Sequence, residues 1–116
     1  MTQNELMYQK ERLDKRLETI AQELKRNEQR FEDYAELSNL AAQLLTEAAT
    51  TFRSSPDSHL FEGALEEGRY LKRKTQASLE QSHEELLGEQ RRLYQEEEAL
   101  TRQLRLVKGK ERANEH

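Results

Sequence analysis

The sequence predicts an all-α fold of two long antiparallel helices forming a coiled-coil helical hairpin, and three observations carry that expectation. Ala, Glu, Lys, Leu and Arg supply 67 of the 116 residues, the composition of long helices. There are one proline and four glycines, and Ile20 and Val107 are the only β-branched aliphatic residues, which excludes a β architecture on propensity. Seam residues recur at alternating steps of four and three before the proline, and after it a narrower apolar seam recurs every seven residues, the period of paired helices. Hydrophobic residues make up 34% and charged residues 36%, against roughly 45–50% and 25% in an ordinary globular domain. A compact single-core globule is therefore not expected.

Helix 1 is expected over about residues 3–53. Thr2 followed by Glu5 fits a capping box, in which the hydroxyl accepts from the third backbone N–H of the helix. From there Leu13, Leu17, Ile20, Leu24, Asn27, Phe31, Tyr34, Ser38, Ala41, Leu45, Ala48 and Phe52 form a heptad seam,. The segment Ser54-Ser55-Pro56-Asp57-Ser58 holds the sole proline and three serines. The residue before a proline is pushed out of the α region, so a turn is expected over 54–58. Ser55, with Pro56 at the first helical position, or Asp57 or Ser58 can cap the next helix.

Helix 2 is expected over about residues 59–108. Leu79, Leu86, Leu93, Leu100 and Val107 sit seven apart, with His83, Gln90, Glu97 and Leu104 as their seam partners and Leu87 and Tyr94 widening the strip to one side. Lys108-Gly109-Lys110 supplies a glycine stop flanked by cations, leaving a frayed tail over 109–116. The whole chain reads as one helical-hairpin domain, 1–116.

The hairpin has defects. Asn27 and Ser38 put polar groups in the seam, and Gly68 and Gly88 sit inside helix 2, each costing about 1 kcal/mol relative to alanine. Leu37, Leu40 and Leu44 form a second apolar strip beside the seam of helix 1. Two helices bury one strip each, so a surplus strip is expected either to take a further helix or to fold over the end of the hairpin near the turn.

Several function classes are disfavoured. Net charge is −4 and the pI is near 5.5, against general affinity for nucleic acid or an anionic membrane surface. With no cysteine, there is no disulfide framework, thiolate nucleophile or Cys-based metal site. The patch from Leu37 to Leu45 falls far short of the roughly 20 apolar residues of a transmembrane helix. The first residues carry neither a basic region nor an apolar run of a signal peptide. Acid pairs such as Glu84-Glu85 lack an apolar pocket to separate their pKa values and read as solvated helix faces. His59, His83 and His116 are scattered, and His83-Glu84-Glu85-Leu86-Leu87 lacks the second histidine of a zinc helix. No enzyme, metal or cofactor is expected.

Charge is nonetheless patterned. Glu11–Lys15 and Glu98–Arg102 have the Glu-first spacing of four that supports a helix. Arg102, Arg105, Lys108, Lys110 and Arg112 cluster near the end, and Lys72-Arg73-Lys74 forms a second basic group. Either could dock an acidic partner. Neither is interleaved with the aromatic residues that stack on nucleic-acid bases.

Two short patterns resemble the small WXG helical-hairpin proteins of type VII (ESX) secretion. Phe61-Glu62-Gly63 lies after the turn, where those proteins carry Trp-x-Gly; its other reading is a phenylalanine plugging the end of the hairpin. Tyr94-Gln95-Glu96-Glu97-Glu98 resembles their Tyr-x-x-x-Asp/Glu export signal, making Tyr94 and Glu98 the candidate signal residues. One aromatic residue with an acid four places on is also about what composition alone provides. Across nearly the full length, Lys-Arg-Asn-Glu-Gln-Arg (25–30), the Ser-Pro turn and Glu-Gln-Arg-Arg-Leu-Tyr-Gln-Glu-Glu-Glu (89–98) look like the LXG-associated α-helical (Lap-type) proteins, encoded beside LXG toxins in Gram-positive bacteria.

That resemblance implies a non-enzymatic targeting chaperone or adaptor, cytoplasmic or co-secreted with its client. It would bind the helical N-terminal LXG domain of a toxin, alone or with a second small helical hairpin protein, and promote export by a type VII system. Neither nucleic acid nor membrane is implied as a partner, and a homodimer is open to the chain in isolation. The turn has no tryptophan, which fits a subunit that holds the toxin helix better than one that carries the signal. Leu37, Leu40, Leu44 and Leu45 on helix 1, with Phe61, Leu65 and Leu71 on helix 2, are the expected partner-contacting or end-packing residues. The alternative class is a structural coiled-coil hairpin of another secretion or assembly machine, such as a FliJ-like stalk or a prefoldin-like hairpin. A DNA-associated coiled coil would need the basic 102–112 end to bind DNA with a steep salt slope.

Overall fold

The computed structural model describes residues 2–114 and is all-α, a helical hairpin of α1 (Gln3–Thr51) and α2 (Ser58–Asn114). The start of α1 is capped as its sequence predicts: the Thr2 hydroxyl accepts from the Glu5 amide at 3.2 Å, and the Leu6 amide donates to the Thr2 carbonyl at 3.1 Å. At the other end, α1 stops at Thr51, within the stretch ahead of Pro56 where the proline is expected to end it. The last turn tightens there, with the Ser55 amide donating to the Phe52 carbonyl at 2.9 Å, an i to i+3 bond that ends the helical ladder.

The turn itself is held by short local bonds. The Ser55 hydroxyl accepts from the Asp57 amide at 3.2 Å, so it closes a turn ahead of the helix instead of capping a helix that begins at Pro56. His59 Nδ1 lies 2.8 Å from the Pro56 carbonyl; since a carbonyl only accepts, the proton sits on Nδ1. Ser58 opens α2, and α2 runs to Asn114, past the expected end near 108. Gly109 has no positive φ, so it continues the helix instead of forming a left-handed cap. With its amide nitrogen turned toward Glu111, Gln3 donates to both carboxylate oxygens at 2.8 and 3.1 Å, tying this last stretch to the start of α1. The expected frayed tail is thus helical over 109–114; residues 115–116 lie outside the described residues.

The chain divides into two units, one made of Met1–Lys25 with Glu84–His116 and the other of Arg26–His83. In the first unit the seam is a true core: Leu6, Leu17, Ile20, Leu24 and Leu100 are buried. Leu13, Leu86, Gln90, Leu93, Glu97, Leu104 and Val107 are half-buried around them, in the expected register. Leu6, at 1% exposure, extends the seam of α1 one heptad before Leu13. Leu87 and Tyr94 do not widen the strip as expected; both are exposed, because each follows a seam residue directly and so points about 100° away from the partner helix.

Charge pairing in this unit also differs from expectation. Neither Glu11–Lys15 nor Glu98–Arg102 forms a salt bridge among the described residues. Arg16 instead reaches across to α2, where Nε and Nη2 donate to the two oxygens of Glu89 at 2.9 and 3.0 Å. Its Nη1 lies 3.9 Å from Glu23. A fork across the pair fixes register better than a pair along one helix, because it binds two backbones together.

Candidate helix-docking face

In Arg26–His83 the same heptad spacing produces a different interior. Asn27 is the only buried residue among those described in this unit, at 3% exposure. Phe31, Tyr34, Ser38, Leu45 and Ala48 on α1 are half-buried, as are Phe61, Leu65, Gln76, Leu79 and His83 on α2. The seam exists, yet no apolar side chain described in it is fully removed from water. Ala41 and Phe52, which the seam pattern also includes, are exposed.

Small residues account for the shortfall. Ser38 and Ala41 on α1 and Gly68 on α2 stand around a cavity of about 360 Å³ that Leu37, Leu45 and Leu65 also line. A Cβ added at Gly68 would meet nothing within 4 Å, so the glycine is not forced by close approach of the helices; it leaves space. Where the apolar partners should be, Lys72 donates to the Asn39 side-chain oxygen at 3.2 Å. Asn27 sends its amide to the Leu79 carbonyl at 3.4 Å. His83 Nδ1 is buried without a hydrogen-bond partner among the described residues.

Apolar residues that could have filled this interior lie outside it. Leu37, Leu40 and Leu44 on α1 are 65%, 54% and 58% exposed, and Leu60, Tyr70 and Leu71 on α2 are also open to water. A lone exposed leucine is ordinary, whereas several on adjoining turns of two paired helices form a patch of the kind that marks an interaction surface. Leu37 and Leu71 line the same cavity, so the patch draws on both helices.

The residues singled out from sequence divide accordingly. Leu37, Leu40, Leu44 and Leu71 are exposed, while Leu45, Phe61 and Leu65 are half-buried inside the hairpin. Phe61 stacks on Phe52 with ring centroids 5.6 Å apart and planes 16° apart, which matches the end-plug reading of Phe61-Glu62-Gly63. Tyr94 and Glu98 are both exposed on α2, one turn apart and reachable from solvent. The feature that sequence reasoning missed is the cavity at Gly68. Part of its signal was available, since Ser38 and Ala41 are small residues at seam positions of α1 and Gly68 is a glycine inside α2.

Among the described residues, no group of three or more His, Cys, Asp or Glu side chains could hold a metal ion, and no helix is long and apolar enough to cross a membrane. No protein-family model, curated protein or solved structure matches the chain.

Proposed function

We propose that the chain is a non-enzymatic adaptor that packs against the long helices of a client: the helical N-terminal LXG domain of a toxin destined for a type VII secretion system. One observation carries the reading. In Arg26–His83 no apolar side chain is fully buried among the described residues, while Leu37, Leu40, Leu44 and Leu71 stand in water beside an open cavity. A partner helix laid along that face would complete the core, and burying apolar area at about 25 cal/mol per Å² would drive association. The resemblance of the full chain to the LXG-associated helical proteins supplies the client class. Tyr94 and Glu98 are exposed, which an export signal read by the secretion machinery requires, and the resemblance leaves that role to them or to a second subunit.

The experiment is co-expression with the N-terminal domain of an LXG toxin from a neighbouring gene. Co-elution as one complex on size exclusion, lost on replacing Leu37, Leu40 and Leu44 by glutamine, is the expected result. Two separate peaks with the unaltered chain would overturn the reading. Replacing Tyr94 and Glu98 by alanine should leave that complex intact and abolish export of the toxin; unchanged export would remove the signal assignment alone.

A structural stalk is the second reading, and the unit of Met1–Lys25 with Glu84–His116 is what favours it. Its seam residues Leu6, Leu17, Ile20, Leu24 and Leu100 are buried and Arg16 and Glu89 join its two helices, as a self-sufficient coiled coil requires. It does not account for the open face of Arg26–His83.

A further inference from the structure

The cavity of Arg26–His83 is charged on one side only. Of the side chains that line it, Arg69 and Lys72 carry charge and no carboxylate does. Lys72 donates to the neutral Asn39 side chain. The salt bridges among the described residues are those of Arg16, so Arg69 and Lys72 form none there. Arg73 and Lys74 follow without an intervening acid and are likewise without a salt bridge among the described residues. Four cations in six residues, beside a solvent-open apolar cavity, make an arrangement with an evident complement.

We propose that this groove takes one amphipathic helix whose apolar stripe seats against Leu37, Leu45, Leu65 and Leu71 and whose flank is acidic, pairing with Arg69 and Lys72. The proposal rests on the adaptor reading and specifies the chemistry of what the adaptor holds. The groove extends from Leu37 to Leu45 on α1, about 12 Å at 1.5 Å per residue, so it spans about two turns of an incoming helix. The missing Cβ at Gly68 lets that helix sit deep, since packing distance between helices is set by the side chains at the crossing. A second copy of this chain fits less well: two-fold pairing of this face puts Arg69 and Lys72 of both copies on one interface, and like charges brought together oppose association.

Two synthetic helical peptides of about three heptads test this, identical in their leucine stripe and differing only in flank residues, glutamate in one and lysine in the other. Binding to the full chain is read by fluorescence anisotropy at low and high salt. The acidic peptide is expected to bind at least about tenfold more tightly at low salt, with the gap closing as salt screens the rim. Arg69→Glu with Lys72→Glu should reverse the preference. Gly68→Leu, which has open space to enter and so should fold, should weaken both peptides about tenfold by filling the groove. Equal affinities, or affinities untouched by Gly68→Leu, would overturn the assignment. If neither peptide binds while the toxin domain still co-elutes, the acidic-helix inference fails and the adaptor reading survives; if the toxin domain fails as well, both fall. A concentration-dependent dimer of the chain that Gly68→Leu dissolves would assign the groove to a second copy and overturn the inference.

Discussion

The Asn27 amide donates to the Leu79 carbonyl at 3.4 Å from a side chain that is 3% exposed, so the most deeply buried residue described in Arg26–His83 is polar. A polar residue at one seam position fixes register at a cost in stability. The bond is long, and the Leu79 carbonyl belongs to a helix that supplies its own donor. Asn27→Leu should therefore stabilise the isolated chain by about 1 kcal/mol, read as a higher midpoint in thermal unfolding followed by circular dichroism. A lower midpoint would show that the bond outweighs the buried apolar area.

Gly68 and Gly88 each have room for a Cβ with nothing within 4 Å. Alanine at either position should add roughly 1 kcal/mol from helix propensity alone, measured as a shift of the urea midpoint with an unchanged slope. Destabilisation at either site would mean that a neighbour approaches the glycine more closely in solution.

Truncation should separate the two units. Ile20 is 0% exposed and Leu6 is 1% exposed, so Ile20→Ala and Leu6→Ala should each cost about 2–5 kcal/mol. Leu37→Ala, Leu40→Ala and Leu44→Ala, at sites more than half open to water, should each cost less than about 0.5 kcal/mol. Similar losses in both sets would contradict apolar side chains buried in one unit and open to water in the other.

Arg16 and Glu89 meet through two hydrogen bonds, yet their side chains remain 44% and 31% exposed. A double-mutant cycle with Arg16→Ala and Glu89→Ala should give a coupling of about 0.5–1 kcal/mol at low salt, shrinking as the pair is screened. Its absence would leave the fork without a part in register.

Much of this was legible in the sequence, and the reasons are specific. Leu17, Ile20, Leu24 and Leu100 are buried because a heptad of apolar residues has only one way to leave water in an antiparallel pair, and His83, Gln90 and Glu97 accompany them into the seam as spacing requires. Leu6 was not legible because the seam position between it and Leu13 is Lys10, which hides a single added heptad. The end of α2 at Asn114 was not legible because a glycine between two lysines has the composition of a stop. Whether Gly109 takes a left-handed φ or stays helical depends on the partners open to the next turn, here Gln3. The open face was half legible. Leu37, Leu40 and Leu44 announced a surplus strip, but the cavity behind them depends on three small residues from different helices meeting, which one-dimensional spacing does not weigh.

That a partner completes the open interior of Arg26–His83 is tested most directly by amide hydrogen exchange of the chain, alone and with the N-terminal domain of the proposed toxin client. Local opening costs less where few apolar groups are buried. Backbone amides over 28–80 should exchange well ahead of those over 6–24 and 86–104 in the isolated chain, and should gain protection, centred on 37–45 and 65–72, when the domain is added. Uniform protection of the isolated chain, with no further change on adding the domain, would contradict the account.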